Sequence, residues 1–87
     1  MTVANSLEAM PQFFLDVVTD TKCLEDPDGE HLGSVDLARA EAYLAIRELV
    51  ANDIREGRRL GLERRIDIRD ELGKVVASVS FADAVPL

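Results

Sequence analysis

The stretch from Ser34 to Gly57, SVDLARAEAYLAIRELVANDIREG, constrains this chain more than any other. It holds strong helix formers almost throughout and no proline, so it must be a helix of about six turns. Ser34 supplies a hydroxyl that can accept from the free amides of the first turn. Asp36 sits where the helix dipole favours an anion, and Arg55 and Arg58 lie near the end that favours cations. Gly57 can take the left-handed conformation that closes a helix. Start and stop signals agree.

At 100° per residue the helix carries two apolar faces. The broad one holds Ala38, Ala42, Ala45, Ile46, Leu49 and Val50, with Tyr43 and Ile54 at its edge. The opposite stripe, Leu37, Ala40, Leu44 and Ala51, is narrow and follows heptad-like spacing. The broad face is the natural partner of a sheet. The narrow stripe reads either as a sparse solvent face or as a contact with a second copy or a partner protein.

Alternating patterns surround the helix. In Gln12–Val18, Phe13, Leu15 and Val17 face one side and Phe14, Asp16 and Val18 the other, so Asp16 marks the wetter face. Thr19-Asp20-Thr21 is a turn, and Lys22–Asp26 a short second strand pairing back on the first. RIDIRD (65–70) and KVVASVSF (74–81) flank Asp70–Gly73 and make a second hairpin. In that hairpin Ile66, Ile68, Val75, Ala77, Val79 and Phe81 are expected inward, and Ala82–Leu87 to end the structured region. The expected architecture is α+β: a small antiparallel sheet of about four strands in ββαββ order with one long helix across one face; the pairing between the two hairpins is left open, side-by-side end strands being one arrangement. Residues 1–9 show no period and are expected as a flexible extension, with a single domain over 10–84 and a tail at 85–87.

With 87 residues there is room for one modest core. A hydrophobic content of 47% with clear periodicity excludes intrinsic disorder. Cys23 stands alone, so no internal disulfide and no cysteine zinc site can form, and it is expected as a small packing residue. No apolar run is long enough to cross a membrane, and the N-terminus lacks the pattern of a signal peptide, so the expectation is a soluble cytoplasmic protein without membrane contact.

Motifs for chemistry are sparse. EDPDGEH (25–31) superficially suggests a calcium loop, but its glycine comes too early and Pro27 stiffens it, so it is a tight turn. His31 has no nucleophile or ligand partner at recognisable spacing. No nucleophile–base pair, metal cluster or phosphate cradle exists, so no catalytic, metal or cofactor residue is assigned and the expectation is a non-enzyme.

Net charge is −7, which disfavours nonspecific binding to nucleic acid or anionic lipid. The charge is uneven: residues 55–74 hold 7 basic and 5 acidic side chains. Arg55, Arg58, Arg59, Arg64, Arg65 and Arg69 are therefore the candidates for nucleic-acid contact, although no aromatic residues interleave them.

MPQFFLDVV, the Asp26–Gly29 turn, the Ala38–Ala42 helix core ARAEA, the Ile68-x-Asp70-x-x-Gly73 hairpin and the Val79–Ala84 ending together resemble a group of short alphaproteobacterial proteins classed as a domain of unknown function. The likeness spans residues 10–84. It departs at Gly33-Ser34, where the group often has Pro-Asp, and it implies no activity and no catalytic residues. A looser fold-level likeness is to antitoxin partners of small RNA-cleaving toxins. The leading functional expectation is a non-catalytic module that binds a protein or itself through Leu37, Ala40, Leu44 and Ala51. The alternative is nucleic-acid binding, or an antitoxin-like regulator, using the arginine segment 55–69.

Overall fold

The computed structural model describes residues 10–85, so the extension expected over residues 1–9 lies outside the described residues. The sheet is built around β1 (Gln12–Val18), which has neighbours on both sides. On one side it runs antiparallel to β4 (Arg65–Arg69), from Phe14 opposite Arg69 to Val18 opposite Arg65. β4 then pairs antiparallel with β5 (Val75–Ser80). On its other side β1 pairs with two short pieces, β2 (Cys23–Leu24) and β3 (Glu30–His31).

Helix α1 (Val35–Arg55) lies across one face, and a single turn, α2 (Phe81–Ala84), follows β5 directly. Ser34 caps α1 as its position predicts, its Oγ accepting from the Leu37 amide at 3.2 Å. Gly57 closes the helix at φ +69. The broad face of α1 meets the sheet: Ala38, Ala42, Ile46 and Val50 are buried against Phe13, Ile66, Ile68, Val79 and Phe81. Each of the large side chains in this set stabilises the fold by about 1.5–3 kcal/mol through burial.

The α+β class and the helix-on-sheet packing are as expected, but four details differ. The described residues hold five strands rather than about four, and three of these precede the helix. Asp26 and Pro27 interrupt what would be one edge strand, leaving two-residue stubs at either end of β1.

The end strands do not lie side by side, because β1 pairs with β4. Asp16 on β1 and Arg69 on β4 form an ion pair across that junction, which a β1–β5 arrangement would not provide.

Val75 does not point inward. The register shifts between Ile68 and Arg69, so Val76 is an extra residue that packs toward the core while Val75 is 48% exposed. The segment after Phe81 also continues in order. Ser80 Oγ accepts from the Asp83 amide at 3.0 Å, Ala84 is buried, and Val85 packs against the core.

Candidate functional site

Opposite the buried face of α1, the narrow stripe faces outward. Leu37 is 53% and Leu44 58% exposed, Ala40 is exposed, and Ala51 is half-buried. Tyr43 and Ile54, expected at the edge of the core face, are 37% and 64% exposed. The sheet is too narrow to cover them. Leu37, Leu44, Tyr43 and Ile54 thus share the outward half of one helix.

The six candidate arginines are not gathered on one surface. Arg64 is half-buried: its Nη2 donates to Asp53 Oδ2 at 2.7 Å and to the Leu60 carbonyl at 2.5 Å, and its guanidinium lies 4.3 Å from the Phe81 ring centre. Arg58 Nε reaches the same carboxylate at 3.1 Å, and Arg58 also pairs with Glu56. Arg55 bonds Asn52.

On the outer face of the sheet, Arg65 grips Asp67, and Asp67 also accepts from Ser78. Arg69 chelates Asp16 through Nε at 2.5 Å and Nη2 at 3.2 Å, with Phe14 beneath its guanidinium at 4.9 Å. Among the described residues only Arg59 of the six lacks a side-chain partner. Neutralised arginines release few counterions from a phosphate backbone, so the segment is poorly built for nucleic acid.

Two of these partners escaped sequence reading. Asp16 is buried rather than wet, and Asp53 is buried near the end of α1. The Arg64 and Arg58 contacts outweigh desolvation and hold the Asp53 carboxyl below the usual carboxylate range. A signal was present for both. A carboxylate within an apolar strand or on the core face of a helix calls for a cation, and each finds an arginine stacked on a phenylalanine.

The acidic turn is a structural device. Between its two pairings with the edge stubs, three residues of β1 (14–16) face five residues (25–29). Asp26 fills the gap: Oδ2 accepts from the Leu15 amide at 3.2 Å, and Oδ1 from the amides of Asp28 and Gly29 at 3.1 Å each. Its own amide donates to Asp16 Oδ1 at 2.9 Å. Partial burial works to raise the Asp26 pKa, but the amides of Gly29, Leu15 and Asp28 outweigh it and the carboxyl titrates below its ordinary range.

His31 is half-buried with Nδ1 3.1 Å from the Met10 carbonyl. Cys23, expected as a packing residue, is exposed, because β2 is an edge stub with little over it. Among the described residues no cluster of His, Cys, Asp and Glu has metal-ligand geometry and no pocket opens, and no helix is long and apolar enough to cross a membrane.

These features define a small α+β domain in which most of the arginines of sheet and loops are paired with carboxylates and one apolar helix surface is left outward. The chain belongs to the family described as a domain of unknown function (DUF6894), whose model matches residues 12–82. No curated protein and no solved structure matches it.

Proposed function

We propose that this chain is a non-catalytic, cytoplasmic protein-binding module whose docking surface is the outward crest of α1, centred on Leu37 and Leu44 with Ala40 and Ala51 between and beyond them. The observation that carries this reading is the exposure of Leu37 and Leu44, two turns apart on one line of a helix whose other side is fully used by the core. Small residues between them leave the backbone accessible, which suits a partner helix laid along the crest. Covering each leucine would contribute about 1.5–3 kcal/mol before the costs of association. The paired arginines favour this reading over one based on nucleic acid.

Leu44→Glu is the test. The side chain is exposed, so circular dichroism and melting temperature should stay as in the parent. Quantitative affinity capture from the native cell should then enrich a partner with the parent chain and lose it with the variant. Identical captured sets from both chains would sink the crest as a docking surface.

A further inference from the structure

The two edges of the sheet are finished differently. The β2/β3 edge is cut into two-residue stubs by Pro27, and Asp26 takes up its backbone donors. On the β5 edge only the bulge at Val76 interrupts the ladder, and Ala77–Ser80 beyond it are regular. Among the described residues β5 pairs with β4 alone; it runs for six residues, VVASVS, and contains neither proline nor charge. A long, uncharged strand with a free row of amides and carbonyls is a template for another extended backbone, and proteins that leave one exposed aggregate unless it is covered.

A second, independent feature stands beside that edge. Arg47 Nε donates to the carbonyl of Ala84, in the turn that continues directly from β5, at 3.2 Å. The Arg47 flank of α1 therefore faces the turn that follows β5. Tyr43 and Ile54 lie within about 40° of Arg47 around the helix. The exposed apolar pair thus shares the flank of α1 that faces the turn after β5.

We infer that the β5 edge pairs antiparallel with the β5 edge of a second copy, about a two-fold axis perpendicular to the sheet at Ser78. This rests on the reading of the chain as a protein-binding module and names one partner, the chain itself. Residues directly opposite in an antiparallel pair share a face, so a self-pairing must place residues of equal parity together. Beyond the bulge, the regular part of β5 centres on Ser78. Ser78 then meets Ser78 on the outer face, and Ala77 meets Val79 on the inner face. Antiparallel pairing also brings Lys74 of each copy toward the Asp83 end of the other, so the charges flanking the uncharged strand are complementary.

The same axis puts both helices on one face of a continuous sheet, with their Tyr43/Ile54 flanks toward each other and their Leu37/Leu44 crests still outward. The edges left at the rim are the two that Asp26 and Pro27 have blunted. A dimer of this kind presents two docking crests on one side, so a two-site partner would gain from avidity.

Light scattering on the full chain at micromolar concentration should give twice the 9.6 kDa chain mass. In a Cys23→Ser background, Ser78→Cys should cross-link under mild oxidation, because opposed Cα atoms lie about 4.5–5.5 Å apart, within disulfide reach. Val75→Cys on the same strand should not cross-link, since its counterpart would sit several residues away. Ile54→Glu should weaken the dimer roughly tenfold or more with an unchanged circular dichroism spectrum. A single-chain mass overturns the inference, as does a dimer in which Val75→Cys cross-links as fast as Ser78→Cys. A monomer whose partner capture still depends on Leu44 overturns the pairing and leaves the crest reading intact. A Ser78-linked dimer whose capture ignores Leu44 sustains the pairing and removes the crest.

Discussion

The turn beside β1 and the turn between β4 and β5 use the same parts for different ends. Each has an aspartate three residues before a glycine of positive φ: Asp26 with Gly29 (φ +68) and Asp70 with Gly73 (φ +83). In each, Oδ1 of the aspartate accepts from two amides of its own turn. Asp26 reaches further, to the Leu15 amide, and its own amide goes to Asp16, so its turn is sewn into the sheet. Asp70 serves only its hairpin, its amide donating to the Lys74 carbonyl and its carbonyl accepting from the Gly73 amide. One turn closes a sheet edge; the other reverses the chain beside an edge that stays open, and reaches the rest of the sheet through Glu71, whose Oε1 accepts from the Gln12 amide at 2.7 Å. A local motif sets the shape of a turn; the contacts around it set what the turn does.

The sharpest way to break this contrast is Gly29→Ala. A Cβ there would stand 2.7 Å from Phe14 Cε2 and 2.9 Å from Gln12 Nε2, in a left-handed conformation as well. Gln12 is flexible, but the Phe14 ring lies under Arg69 and cannot retreat without disturbing the grip on Asp16. Backbone strain and overpacking together should cost about 2–4 kcal/mol. For a domain of this size that lowers the melting temperature on the order of 10–20 °C. A thermal melt followed by circular dichroism measures it, and a loss of only a few degrees would mean that the ring gives way freely.

The long helix, its caps, its buried face and the hairpin were all legible, because each is written in a local period or a local end signal. Strand order was not. Nothing in the alternation of RIDIRD or KVVASVSF says which of them lies against β1, since the choice rests on Asp16 meeting Arg69 across 53 positions. The bulge at Val76 was also hidden, because an alternating string does not show where one residue is skipped. The outward stripe was found by counting along the helix, whereas how far Tyr43 and Ile54, at the edge of the core face, would be covered was not. A helical wheel gives directions, but it does not give the width of the sheet underneath.

Asp26→Ala tests the closed edge more gently. It strips an acceptor from the amides of Leu15, Asp28 and Gly29, a loss of about 1–3 kcal/mol. Protonation should reproduce part of it. The folded carboxyl titrates below its unfolded value of about 3.9, so the folded state holds fewer protons and gains stability where the group is ionised in both states. That contribution is complete above about pH 5 and fades as pH falls through the depressed folded value. Asp53 and Asp67 shift the same way. Melting temperature should therefore hold from neutrality to about pH 5 and fall below it, with a shallower fall in Asp26→Ala. Equal acid slopes in parent and variant would remove Asp26 from the account.

Gly73→Ala is the smallest of the three effects and the one that sharpens the comparison. Nothing lies within 4 Å of a Cβ built on Gly73, so only the left-handed backbone at φ +83 resists the change. That strain is worth about 1 kcal/mol, a drop of roughly 4–8 °C. The Asp70 carboxylate still holds the amides of Leu72 and Lys74 at 2.9 Å, so the hairpin and its β5 edge should persist. Measured under the same conditions, the difference between the two glycine substitutions isolates the Phe14 contact, because both carry the same backbone penalty. A Gly29→Ala loss at least twice that of Gly73→Ala is expected. Equal losses would mean that the closed edge is held by its Asx turn alone, as the open one is, and that the packing of Gly29 on Phe14 adds nothing to it.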